Sequence, residues 1–228
     1  MATFTEATLR TRARRMADME NSTFVSDAEL RDYLNSAYSE LYDLVVEKYE
    51  DYYLSSTTAM DLSSTDSFAL PTDFYKALGV DLDVGGTTIS LRNYTFQERN
   101  LHKANLNSGF GLEALYHIQG NFIKFIPANG SGSAILHYIP VATQLDAASS
   151  PTIAEFTSII PGFEEYVCLT AAISCLMKEE SDVKMLMGRK AMLQARIESV
   201  AGKRNAGDSY SIADVNTGAG NYRGINRA

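Results

Sequence analysis

A hydrophobic repeat with helical spacing runs from residue 27 to about residue 52. Leucine, valine, alanine and tyrosine recur every three or four positions there, as they do on the buried face of an α-helix. Ser26 and Glu29 have the spacing of a capping box, and Val25 with Leu30 can form the hydrophobic staple beside it. The pattern predicts an amphipathic helix about 39 Å long. Such a helix needs other apolar surfaces to cover its buried face.

Three further segments with helical spacing lie near the ends of the chain. Residues 5–19 predict a short helix with an apolar side that includes Leu9 and Ala13. Pro161 is expected to open a helix with acidic residues in its first turn, where proline and negative charge are both favoured. Ser181 can cap a last helix that runs to about Arg204. The apolar stripe expected on that last helix contains Met185, Met192, Leu193 and Ile197.

Residues 55–142 change to short apolar runs separated by Gly, Pro, Ser and Thr, which is typical of β-strands and turns. Residues 68–71, 77–84 and 88–91 predict strands, and Gly85-Gly86 predicts the turn between the last two. Residues 95–105 predict a short helix.

The strongest β signal is a set of three successive strands at residues 114–119, 122–126 and 134–139, which we predict to pair in chain order as a meander. With the earlier strands they make a sheet or small sandwich of about six strands. The expected fold class is α+β, with a helical body built from the N- and C-terminal helices, an inserted and mainly antiparallel β domain, and an extended C-terminal tail. The expected boundaries are 1–54 for the N-terminal helices, 55–142 for the β domain, 143–204 for a linker and helical hairpin, and 205–228 for the tail.

The tail is rich in Gly and Asn, and its apolar residues are isolated. Fixing 24 such residues in an assembled state costs on the order of 24 to 48 kcal/mol in backbone entropy. Offsetting this cost requires roughly 1,000 to 1,900 Å² of buried apolar surface. A tail so sparse in apolar groups is unable to bury that much on its own domain. We therefore expect an arm that binds neighbouring chains.

The charge distribution argues against general nucleic-acid binding. The chain has a net charge of −8, and residues 21–160 contain seven basic and seventeen acidic side chains. Binding to phosphates needs clustered lysine and arginine. We find no secretory signal and no apolar run long enough to span a membrane. Cys168 and Cys175 lie seven residues apart on one predicted helix, too far for a disulfide, so we expect two reduced thiols in a protein made in the cytosol.

No motif predicts catalysis, a cofactor or a metal. Gly218-Ala219-Gly220 lacks the strand and helix of a dinucleotide site, and Ser131 lies in a hairpin loop rather than a nucleophile elbow. Asp81 and Asp83 share one face of a strand, but solvated carboxylates are the simpler interpretation. His117 and His137 could approach each other across the meander, although a metal role is the weaker interpretation. We therefore expect a structural protein rather than an enzyme.

The order of several short motifs resembles the podovirus head-to-tail adaptor proteins, also called head-completion or tubular adaptor proteins. The motifs are SDAEL at 26–30, AYSEL at 37–41, LPTDF at 70–74, GNFIKFIP at 120–127, LHYIP at 136–140 and IPGFEEY at 160–166. This resemblance implies a ring of twelve copies with helices around a DNA channel and a β domain turned toward the tail. DNA would pass through without specific binding, in a virion component assembled in the host cytoplasm.

The resemblance also implies partners, namely the portal protein and the tail nozzle or tail fibre proteins. It assigns the C-terminal extension to the portal. The residues expected to anchor this portal-binding arm are Tyr210, Ile212, Val215, Tyr222, Arg223, Ile225 and Arg227.

A channel that passes DNA should repel the phosphates, so acidic residues are candidates for its wall. The candidates along or just past the polar side of the long helix are Glu40, Asp43, Glu47, Glu50 and Asp51. The alternative is that these residues only solvate an outer surface. Two other functions also stay open: another virion neck or tail connector, and a monomeric ligand-binding β domain.

Overall fold

The computed structural model describes residues 4–63, 65–105, 114–126, 132–144, 155–156 and 162–201. The helices are α1 Glu6–Met16, α2 Asp27–Lys48, α3 Arg99–Asn105, α4 Glu164–Lys178 and α5 Lys184–Ala201. The strands are β1 Phe4–Thr5, β2 Ser55–Ser56, β3 Met60–Asp61, β4 Ser67–Ala69, β5 Phe74–Val84, β6 Thr87–Ser90, β7 Arg92–Asn93, β8 Leu115–Gln119, β9 Phe122–Ile126, β10 Ser133–Pro140 and β11 Glu155–Phe156. The predicted α+β class is confirmed. Residues 205–228, the predicted tail, lie outside the described residues.

Helices α1, α2, α4 and α5 pack into one helical body, as the apolar patterns near both ends predicted. α2 buries a stripe that includes Leu30, Leu34 and Leu41, and the predicted cap is present, since the Ser26 hydroxyl accepts a hydrogen bond from the Glu29 backbone N–H. α4 is the most buried of these helices, and small residues such as Ala171 let its neighbours approach closely. None of the helices in the described ranges is both long and apolar enough to cross a membrane.

The long helix ends earlier than its hydrophobic repeat indicates. α2 stops at Lys48, Tyr49 leaves the helical region with φ −147°, and a short 3-10 helix covers Glu50–Tyr53. The change of direction brings the ring of Tyr53 onto Tyr42, with centroids 4.2 Å apart and nearly parallel planes. The apolar side chains beyond residue 48 therefore pack back on α2 instead of extending it.

The last two helices also begin later than predicted. Gly162 has φ +95°, a conformation incompatible with a helix, so α4 starts at Glu164, later than the predicted start at Pro161, which lies outside the described residues. At the start of α5 the backbone N–H of Lys184 bonds the Asp182 carboxylate. The predicted cap, Ser181, instead donates its hydroxyl proton to the Glu179 carboxylate.

The β region is a sandwich of two sheets, and the predicted meander is wrong. One sheet has the order β2-β10-β5-β6, with β3 also paired to β10, and the other has the order β4-β9-β8-β7. Strands β8 and β9 form the predicted hairpin, but β10 pairs along its whole length with β5 of the opposite sheet. Val80 and Leu136 from one sheet share a core with Ile123 and Phe125 from the other. Because β10 pairs with β5, its apolar side chains cover the core from the side opposite β8 and β9.

The turn between β5 and β6 is correctly predicted, since Gly85 and Gly86 both have positive φ. One pairing was not predicted: β1 runs antiparallel to β11, so Phe4 lies opposite Phe156. β11 lies in the segment that the sequence indicated as a polar linker, and its two residues are too short a pattern to identify as a strand.

The helical body and the sandwich are joined at the end of α2. Ile139 at the end of β10 is buried in the helical core rather than between the sheets. The Tyr42 hydroxyl donates a 2.6 Å hydrogen bond to the backbone carbonyl of Pro140. The sandwich is thus attached to the helical body by apolar side chains that share one core and by a partly buried hydrogen bond.

Candidate assembly surfaces

The outer face of α2 carries the acidic side chains expected in a channel wall. Because this helix buries its apolar stripe, the residues on the opposite side are turned to solvent. The side chain of Glu47, near the end of the helix, is 67% exposed. The exposed residues of this face and of the turn after it are Asp32, Ser36, Glu40, Asp43, Glu47, Glu50 and Asp51.

Glu40 is held between two other helices of the same chain. Its carboxylate accepts a 2.5 Å hydrogen bond from the Tyr166 hydroxyl of α4 and lies 2.8 Å from the Lys190 ammonium group of α5. Burial and the neighbouring carboxylate both raise the pKa of Tyr166, so its hydroxyl stays protonated and remains a donor. Lys190 also lies 5.3 Å above the Tyr166 ring. Glu40 therefore has a structural role in attaching α5 to the helical body.

Two other acidic candidates connect α2 with the sandwich. Asp43 accepts a 3.1 Å hydrogen bond from the hydroxyl of Tyr75 in β5. Glu50 forms a 2.5 Å ion pair with Lys76 of the same strand. Exposed contacts of this kind contribute about 0 to 1 kcal/mol each. They supplement the buried junction at Tyr42 and do not replace it.

Glu47 pairs with the adjacent Lys48 at 2.9 Å, and Asp51 is exposed in the 3-10 helix. Three of the five candidates thus have a lysine within ion-pair distance, namely Lys190, Lys48 and Lys76. The face is therefore less negative than its number of carboxylates indicates. The structure brings Glu40, Asp43 and Glu47 to one side of α2 and places Glu50 and Asp51 in the 3-10 helix after it. Their place in a channel wall stays a prediction.

The predicted portal-binding arm lies outside the described residues. This applies to all of its anchors, Tyr210, Ile212, Val215, Tyr222, Arg223, Ile225 and Arg227. The arm stays a prediction from the sequence.

The apolar stripe predicted on α5 is partly wrong. Ile197 is buried and Leu193 packs against the helical core, but Met185 is 90% exposed and Met192 is 76% exposed. α5 contacts the helical body along one side only, so the methionines on its other side face solvent. An exposed apolar helix face of this kind is typical of an interaction surface. The sequence shows these methionines at helical spacing, and we had assigned them to the core instead of to an exposed surface.

The polar groups of the sandwich do not form a catalytic arrangement. Asp81 lies between Ser90 and His137, accepting from the Ser90 hydroxyl at 2.7 Å and lying 3.2 Å from Nε2 of His137. Hydrolytic triads need the histidine between the nucleophile and the acid. Asp83 accepts the Gly86 backbone N–H and so stabilises the β5–β6 turn.

The predicted approach of His117 to His137 is wrong, because the two histidines lie in different sheets. His117 instead lies 3.4 Å from the side-chain oxygen of Asn93, and its ring is 5.1 Å from the ring of Tyr94. Within the described ranges, no group of His, Cys, Asp and Glu side chains could hold a metal ion. The residues Ser131 and Gly218 to Gly220, considered above for catalysis and dinucleotide binding, lie outside these ranges.

Both cysteines are buried and reduced, as predicted. The Cys168 thiol lies 3.7 Å from the Leu9 carbonyl of α1, and burial raises the pKa of this thiol to about 12. A thiol in that environment is unreactive at neutral pH. Its role is packing between α4 and α1.

The family model described as SU10 adaptor protein matches residues 4–218 and so covers the helical body, the sandwich and part of the tail. No curated protein matches the chain significantly.

Proposed function

Because the chain belongs to the SU10 adaptor protein family, a family of phage head-to-tail adaptors, we propose that it forms a ring that joins the portal to the tail and gives the DNA a channel. The family match over residues 4–218 is the observation that carries this proposal. The chain is a structural bacteriophage protein of the virion. Its proposed role is mechanical and involves no reaction, cofactor or metal.

The layout of the chain supports a connector with two ends. The turn between α4 and α5 lies beside the start of α2, where Lys178 forms a 2.6 Å ion pair with Glu29. The sandwich begins just past the other end of α2, whose 22 residues span about 33 Å. Two separate surfaces at the two ends of one body suit a protein that binds one partner on each side. By the family resemblance, the sandwich faces the tail nozzle or tail fibre proteins.

The number of copies follows from the same resemblance, which implies twelve. We assign residues 205–228 to the portal as an extended arm, because the tail is too sparse in apolar groups to offset its own ordering cost. The isolated aromatic residues Tyr210 and Tyr222 are suited to insert into pockets of a partner.

For the channel wall, the contacts of the acidic residues favour a subset of the candidates. Glu40 and Asp43 are bonded to tyrosines of the same chain. Glu47, Glu50 and Asp51 lie at the end of α2 and are exposed. We assign these three to the wall, where repulsion reaches about 8 Å at physiological salt.

The test is binding to the portal protein of the same phage. The two purified proteins are mixed and measured by size-exclusion chromatography with light scattering and by native mass spectrometry. We expect a complex with twelve copies of this chain per portal ring. A chain that binds a tail component but never the portal would instead be a neck or tail connector without portal contact.

A further inference from the structure

The outer face of α5 is exposed and combines methionine with arginine, since Met185, Arg189, Met192 and Arg196 follow one another at spacings of four, three and four residues, and none of its residues is acidic. Met185 and Met192 are exposed and lie seven residues apart, so they lie on the same side of the helix. Gly188 and Ala195 lie between and after them and make this side flat enough for another helix to approach closely. Methionine is adaptable and is common in surfaces that bind a second helix.

The charged residues on this face and beside it are basic. Lys184 and Arg196 are both exposed, and neither has an ion-pair partner among the described residues. Arg189 lies in the face between the two methionines and bonds Glu165 of α4. A partner that covers the face must therefore bring negative charge as well as small side chains.

The outer face of α2 has both of these properties. Asp32, Ser36, Ser39 and Asp43 follow one another at spacings of four, three and four residues, which places them in one stripe along the helix. Ser36 is exposed, whereas Ser39 is half-buried and accepts a 3.5 Å hydrogen bond from the Gln144 side-chain amide. Both serines are small enough to accept methionine side chains between the acidic residues at either end. From Asp32 to Asp43 the stripe is eleven residues long, about 16.5 Å. This equals the distance along α5 from Met185 to Arg196.

We infer that the methionine face of α5 packs on the acidic stripe of α2 in a neighbouring copy of this chain. The inference rests on the proposed ring. In a cyclic ring each copy presents one surface to the next copy and a different surface to the previous one, so the two surfaces must be complementary rather than identical. Lys184, Arg189 and Arg196 then lie beside the carboxylates of Asp32 and Asp43.

This assignment places Asp43 at the interface and keeps the end of α2 for the channel wall. An α5 to α5 contact between two copies is disfavoured, because it brings the basic borders of the two helices together. Within the chain, α5 already uses its other side to contact α2 and α4, with Lys190 at Glu40. The same helix thus connects the body of its own copy with the body of the next one.

The experiment uses two full-length charge-reversal variants. The first, Lys184→Glu/Arg196→Glu, makes the border of α5 acidic, and the second, Asp32→Lys/Asp43→Lys, makes the stripe of α2 basic. Each variant alone places like charges against each other in every interface, so assembly should require at least a tenfold higher protein concentration than the parent chain. An equimolar mixture should recover the parent's assembly, because rings with alternating variants place opposite charges in every interface.

The control is Arg99→Glu/Lys124→Glu, which makes the same change of charge at the start of α3 and in β9, away from α2 and α5, and should assemble like the parent chain. Ring formation is followed by light scattering and native mass spectrometry, with the portal present in a parallel series. A second readout is a short bismaleimide cross-link between one copy with Met192→Cys and another with Ser39→Cys. The buried native cysteines should not react with the cross-linker.

The outcomes separate this inference from the proposed function. Parent rings together with unimpaired assembly of both variants would overturn the inference and leave the adaptor function standing. Cross-links only between two Met192→Cys copies would identify an α5 to α5 contact and also overturn it. A parent chain that stays monomeric, both alone and with the portal, would overturn the ring itself.

Discussion

Substituting Leu41 by alanine tests whether the helices from the two ends of the chain form one helical body. Leu41 is 1% exposed and lies in the core that α1, α2 and α4 share. The change removes three carbon groups from this core, which costs about 2.4 kcal/mol at about 0.8 kcal/mol per group. The cavity left behind adds to this, since α2 and α4 are both tied to other elements and are unable to collapse freely. We therefore expect a total loss of about 3 to 5 kcal/mol in the free energy of unfolding.

The assay is equilibrium urea unfolding followed by circular dichroism, with the parent and the variant at the same protein concentration. The matched control is Leu54→Ala, because Leu54 is 53% exposed and its removal should cost well under 1 kcal/mol. Ile173→Ala in α4 removes a buried side chain that is 6% exposed and should cost about 2 to 5 kcal/mol. A loss below 1 kcal/mol for Leu41→Ala, or equal losses for Leu41→Ala and Leu54→Ala, would show that the core is assigned incorrectly.

Three further predictions concern the junction, the pH dependence and the tail. Tyr42→Phe leaves the Pro140 carbonyl without its buried donor and should lower the free energy of unfolding by about 1 to 3 kcal/mol, whereas Tyr75→Phe, at an exposed contact, should change it far less. Burial raises the pKa of Cys168 and of Tyr33 to about 12, so the unfolded chain loses these protons first and stability should fall as the pH rises above about 9. Urea midpoints that stay constant from pH 8 to pH 10.5 would contradict this. Deleting residues 205–228 should leave the urea midpoint unchanged and abolish portal binding, and a truncated chain that still binds with the parent's affinity would exclude the arm.

The helical body was largely predictable because its signals are local. The repeat of α2 and the cap at Ser26 are strong patterns, and the structure confirms the helix and the bond from the Glu29 backbone N–H to the Ser26 hydroxyl. The second half of the capping box is not formed, because the Glu29 carboxylate bonds Tyr33 and Lys178 instead. The ends of the helices were less predictable, since a tyrosine such as Tyr53 fits a helical repeat equally well when it folds back on Tyr42. Gly162 decided the start of α4, but a sequence shows only that glycine permits a positive φ and not that it adopts one.

The sandwich shows what spacing along the chain is unable to give. Each predicted strand of the meander exists, but the partner of β10 is β5, some fifty residues earlier. Alternation of apolar residues specifies which face of a strand is buried and does not specify which strand lies beside it. The same limitation applied to α5, where Met185 and Ile197 are both apolar but only Ile197 lies on the side that packs against the helical body.

The positions of some candidate site residues could be predicted from local sequence patterns, whereas their contacts with other helices could not. The acidic candidates on α2 were found from the sequence because a helix with one apolar stripe must expose its other side. The ion pair between Glu40 and Lys190 was not predictable, because it depends on how α5 packs against α2. The exposure of Met185 and Met192 was not predicted, because an apolar residue on a surface and an apolar residue in a core have the same pattern in the sequence of a single chain.

The central claim, that this adaptor joins the portal to the tail, is tested most directly by cryo-electron microscopy of the virion neck at a resolution that identifies side chains. The account predicts twelve copies of the chain in a ring between the portal and the tail, with residues 205–228 on the portal and the sandwich toward the tail. Density at this position that fits a different chain, or copies of this chain found elsewhere in the virion, would contradict it.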